Sequence, residues 1–238
     1  RESVGTGSPV YQAALGETLL LEGSYLEALE ALSLPELGDD EELRRNALFL
    51  RIRAHAERCD YPAIAAESDL YLALDTASAV ELSQVYAYRA VALGEEDAQS
   101  EAALRQAEFA SFRITNDLDR LDAVRSVVEA NLILGNLENA ERQSREGITI
   151  GLRNSGYYPT FSLLVMAAEI SLRRRRREEA LFFVEEASFY VTLRPRLRMR
   201  DVAAYWFLRW SLGLDGESAL ETARQTLSGE TEALGSAP

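Results

Sequence analysis

Six short sets of residues, spaced four and then three apart, recur along this chain at a nearly constant interval. They are Ala28/Leu32/Pro35, Ala66/Leu70/Ala73, Ala103/Ala107/Ala110, Ala140/Ser144/Gly147, Ala180/Val184/Ala187 and Ala219/Ala223/Thr226. Their first members lie 38, 37, 37, 40 and 39 residues apart. Positions i, i+4 and i+7 fall on one stripe of an α-helix, and small side chains there let a second helix approach closely. A fixed period of this length marks a repeat architecture, in which one unit cannot bury its apolar face alone and must stack on its neighbours.

A further amphipathic stretch precedes each set, near 10–22, 41–57, 79–93, 117–134, 158–173 and 199–212. The joints carry turn residues: Gly23-Ser24, Cys59-Asp60-Tyr61-Pro62, Gly94-Glu95, Gly135-Asn136, and Gly213 with Gly216. Acidic or capping residues open several helices, as in Asp39-Asp40-Glu41-Glu42 and Asn116-Asp117, where side-chain oxygens satisfy the first free amides. Alternating strand patterns are nearly absent. The run Arg194–Arg200 alternates but contains Pro195 and reads as a loop. The expected fold is all-α: six antiparallel helix pairs in one domain over 10–229. Residues 1–9 read as a linker and 230–238 as a flexible tail. A chain that starts at Arg1 with no signal segment reads as a piece of a longer polypeptide, to which a fused N-terminal domain can belong, or as a chain with its front removed.

Composition narrows the function classes. With 25 basic and 39 acidic residues the net charge is −14, which repels phosphate backbones and anionic membrane surfaces. Direct nucleic-acid contact is not expected. No apolar run approaches the ~20 residues of a membrane helix. All 25 basic residues are arginine, so each is a planar fork suited to carboxylates, and none can serve as a lysine base. The single cysteine, Cys59, forms no internal disulfide, which fits a reducing, cytoplasmic setting. With His55 as the lone histidine, the usual zinc ligand sets are out of reach. No phosphate-binding loop or hydrolase motif occurs. No enzyme activity, cofactor or metal is expected.

The cassette Leu15-Gly16…Gly23-x-Tyr25-x-x-Ala28 resembles the tetratricopeptide repeat in residue type and spacing. Weaker echoes follow at Gly135-Asn136-Leu137…Ala140 and around Ala180. The period of about 38 exceeds the ~34 residues of that family, and Pro35 replaces a small residue, which implies a short second helix in the first pair. The resemblance implies a right-handed superhelical solenoid, its first helices lining a concave groove and its second helices forming the convex side. Longer-period repeats of this kind resemble the partner-sensing regions of bacterial transcription regulators. The implied function is a non-catalytic scaffold for a protein or peptide partner; the alternative is self-association into a homo-oligomer through terminal repeats.

On the family's spacing, Arg125 and Glu129 of the fourth pair and Met166 and Glu169 of the fifth point into the groove. Arg45 and Arg53 of the second pair and Tyr205 of the sixth join them. Arginine beside glutamate suits an extended peptide held by its backbone and a few charged ends. The five-arginine run Arg173–Arg177 reads as the positive end of a helix. The arginines at 194, 196, 198 and 200 are expected on the opposite edge. Trp206 and Trp210 read as packing at the end of the stack.

Overall fold

A computed structural model of the chain describes residues 8–33, 40–74, 78–154, 156–192 and 197–235. Among these residues the regular structure is all α-helix, joined by turns, and the chain divides into two compact units, one up to Ala107 and the other from Glu108 to Glu232. In the first unit lie α1 (Pro9–Glu22), α2 (Tyr25–Ala31), α3 (Glu41–Glu57), α4 (Tyr61–Leu72) and α5 (Ala79–Leu93). The boundary falls within α6 (Ala98–Phe112). The second unit carries α7 (Asp117–Ile133), α8 (Leu137–Asn154), α9 (Tyr157–Arg173), α10 (Arg177–Thr192) and α11 (Met199–Ser211), followed by α12 (Gly216–Gly235). The first-helix boundaries agree with the amphipathic stretches to within a residue. Two limits differ from expectation: α1 starts inside the presumed linker, at Pro9, and α12 runs on to Gly235, past 229. Pro35 lies outside the described residues.

The helices start where a side chain can satisfy free amides. Asp40, Asp60 and Asn116 accept from the first-turn amides of α3, α4 and α7. Ser78 and Glu81 cap α5 reciprocally, at 3.2 and 3.1 Å.

Five of the six turns inside the pairs share one geometry, the turn at Gly94 between α5 and α6 being different. Residues 23, 59, 135, 175 and 213 are all left-handed. Each donates its amide to the carbonyl three back, and the next residue donates to the carbonyl five back, as in Asn136→Asn131 at 2.8 Å and Arg176→Ser171 at 2.8 Å. This is the Schellman closure, which satisfies the last carbonyls of a helix. Glycine meets it at 23, 135 and 213; Cys59 and Arg175 meet it at a steric cost. Arg175→Gly is therefore expected to raise stability by about 1 kcal/mol, read as a higher urea midpoint with an unchanged slope.

Five of the six small-residue sets sit where expected in so far as they are described: Ala28, Leu32, Ala103, Ala107, Ala110, Ala140, Ser144, Gly147, Ala180, Val184, Ala187, Ala219 and Ala223 are all buried, and Thr226 at the end of the sixth set is half-buried. The second set does not. Ala66, Leu70 and Ala73 are exposed, and the buried stripe of α4 is Ile64/Ser68/Tyr71, two residues earlier. The larger side chains decide the face: Ile64 and Tyr71 join the core with Leu48, Ile52 and Val85, and the Tyr71 hydroxyl donates to Glu81 at 2.9 Å.

Within each unit, odd-numbered helices pack on one another and even-numbered helices pack across them. In the first unit α1 meets α3, α3 meets α5, and α2 and α4 join these neighbours. In the second, α7 meets α9 and α9 meets α11, while α8 and α10 flank α9. Helix α9 is the axle of that unit. Every residue from Thr160 to Ala168 is buried, as a helix apolar all round must be. Its approach to α8 relies on Gly147, where an added Cβ would come 2.6 Å from Leu163 Cδ1.

Candidate functional site

The layer made by α7, α9 and α11 gathers charged groups from distant parts of the sequence. Arg125 on α7 donates to Asp122 at 3.2 Å and to Glu129 at 3.1 Å. Its guanidinium lies 5.7 Å from the centre of the Tyr158 ring at the start of α9. Glu129 also receives Arg198, at 3.4 Å, and Arg200. These two arginines sit at the N-terminal end of α11, and the neighbouring Asp201 accepts from the Ser162 hydroxyl of α9. Three guanidiniums thus converge on one carboxylate. Burial explains the crowding: Arg125 is only 5% exposed, and a desolvated charge persists only with close opposite charges and hydrogen bonds. Asp122 and Arg200 keep more of their surface in water than Arg125, Glu129 and Arg198 do, and form the rim.

The structure brings together some expected residues and separates others. Arg125 and Glu129 form the centre of the cluster, but Arg125 is a buried ion-pair member rather than an exposed lining residue. Glu169 is half-buried and pairs with Arg173 at 2.5 Å. Met166 and Tyr205 are core residues, 9% and 2% exposed; the Tyr205 ring packs 6.0 Å from Phe161. Both departures have one cause. Helix α9 is covered on all sides, so the positions the repeat spacing turns toward a groove are filled by α11 and by its own neighbours. In the first unit, Arg45 and Arg53 are half-buried on α3, and Arg53 lies over the Phe49 ring at 5.8 Å. Sequence reasoning missed Tyr158, Arg198 and Arg200. The alternating arginines around Pro195 were the signal, but nothing in a loop reading says that two of them reach back to α7. Arg194 and Arg196 lie outside the described residues.

The five-arginine run does more than end a helix. It spans the turn from α9 to α10. Arg173 donates to the Leu132 carbonyl at the end of α7, at 3.2 Å, and Arg177 to the Leu212 carbonyl after α11, at 2.6 Å. Each cation thus caps the negative end of a neighbouring helix. Arg174, Arg176 and Arg145 close on Glu141 of α8. Arg176 foremost, with Arg145 and Arg174, holds that carboxyl well below the usual range, at about 2 against an ordinary 4.5. A depressed carboxylate contributes stability above its unfolded value that is lost as pH falls through the folded one. The wild-type advantage over Glu141→Gln is therefore expected to be full at pH 6 and to shrink between 4.5 and 2, read from urea midpoints at stepped pH.

Helices α8 and α10 border a shallow groove of about 340 Å³, lined by Arg145, Ile148, Thr149, Glu179, Phe182 and Phe183. Among the described residues, no group of three or more His, Cys, Asp and Glu side chains is placed to hold a metal. No described helix is long and apolar enough to cross a membrane. Comparison with protein-family models, with curated proteins and with solved structures gives no match to this chain.

Proposed function

We propose that the chain is a non-catalytic scaffold that binds a protein or peptide segment across α7, α9 and α11. The convergence of Arg125, Arg198 and Arg200 on Glu129, with Tyr158 beside them, carries this reading. The exposed rim of that cluster, Arg200 and Asp122, offers a guanidinium to a partner's carboxylate and a carboxylate to its cation, both held in place before binding by the buried pairs beneath them. The stacked pairs form a tetratricopeptide-like right-handed superhelical solenoid in this reading. The chain serves as the cytoplasmic partner-sensing part of a longer bacterial protein, such as a transcription regulator. DNA contact belongs elsewhere in that protein, since the net charge of this chain is −14.

Arg200→Gln is the test. Its side chain is one-third exposed, so the fold should hold, while a carboxylate-bearing peptide selected on the wild-type chain should bind about tenfold more weakly. Unchanged affinity would remove the cluster from the site.

A further inference from the structure

We infer that the α8–α10 face is a two-fold interface between two copies of this chain. The face is charged in two parallel bands. Past Glu138 in its first turn, helix α8 exposes Arg142, Arg145 and Arg153, and past Arg177 at its start α10 exposes Glu178, Glu185 and Glu186. Between and beside the bands stand Phe182, Phe189 and Leu152, 56, 58 and 61% exposed. Aromatic side chains so far in water mark an interaction surface when they cluster.

The choice of a second copy rests on charge complementarity. Helices α8 and α10 point the same way, because α9 alone turns the chain between them. A two-fold axis running along the helices, midway between them, lays α8 of each copy on α10 of the other. Arginine then faces glutamate twice, as an isologous contact requires. An axis across the helices would set arginine on arginine. The ion pairs inside one chain also fix the level of the bands. Glu179 stands beside Arg145 and Arg176 beside Glu141, so Glu178 is level with the start of the arginine band. Glu186, seven residues beyond Glu179, falls within about one turn of Arg153. Phe182 meets the Thr149–Leu152 stretch of the partner, and Phe189 comes level with the end of its α8. This interface lies on the side of the helices opposite the cluster on α7, α9 and α11 and leaves that cluster open.

Sedimentation of the full chain tests this. The wild type is expected to be a dimer at about 50 µM. Arg142→Glu with Arg153→Glu, or separately Glu178→Arg with Glu186→Arg, should each raise the dissociation constant by ~100-fold or more, since like charges then face one another. An equimolar mixture of the two variants should re-form the dimer, and so should one chain carrying all four changes, because the bands match again. A wild-type monomer at ~200 µM overturns the inference. So does a dimer that both variants leave intact, or a mixture that stays monomeric while both variants keep their helical signal. If either variant loses that signal, Phe182→Ser with Phe189→Ser takes its place, and a dimer that survives the loss of both rings overturns the interface equally.

Discussion

Arg125→Glu is expected to cost about 3–5 kcal/mol, a large share of the ~5–15 kcal/mol that holds a typical domain together. The guanidinium is 5% exposed and sits between Asp122 and Glu129. Reversal puts a third carboxylate beside those two in a site with little water, and it strips the Tyr158 ring of its cation. Arg125→Met keeps much of the side-chain volume and removes the charge without adding another. Asp122 then turns to water, Glu129 keeps Arg198 and Arg200, and the loss should be clearly smaller. Urea unfolding of both variants at pH 7 reads the difference. Equal losses would mean that packing, not charge, fixes this position.

Phe161→Ala should cost a similar amount, about 3–5 kcal/mol. Phe161 has no exposed surface and lies in the core cluster with Leu121, Val124, Val128 and Tyr205. Its ring bridges α9 and α11, so a cavity there loosens the support of Arg198 and Arg200 as well. Thermal unfolding checks the stability. Fast amide exchange at the start of α11 in the folded variant would show that the same ring positions the charged cluster.

Much of this architecture is legible in the sequence because its causes are local. Helix starts follow from side chains such as Asp40 and Asn116 bonding amides two or three residues on. Three glycine turns announce the left-handed residue that closes a helix. The small-residue stripe reads correctly wherever no larger side chain competes; in α4, Tyr71 and Ile64 win and shift the face by two residues. What stays hidden is non-local. Cys59 and Arg175 occupy left-handed turns that their residue types do not announce. Arg198 and Arg200 pair with a glutamate some 70 residues earlier, and no helical periodicity encodes that reach. Burial of Met166 and Tyr205 comes from α9 being enclosed by four neighbours, a property of the packed unit rather than of either helix.

Amide exchange on the full chain, with and without a peptide selected from a random displayed library, locates the binding surface. Added protection is expected in α7, in the first turns of α9 and in the N-terminal half of α11. Arg200→Gln should remove this protection at the same peptide concentration. Protection confined to α8 and α10, or a footprint that Arg200→Gln leaves in place, would contradict a binding site across α7, α9 and α11.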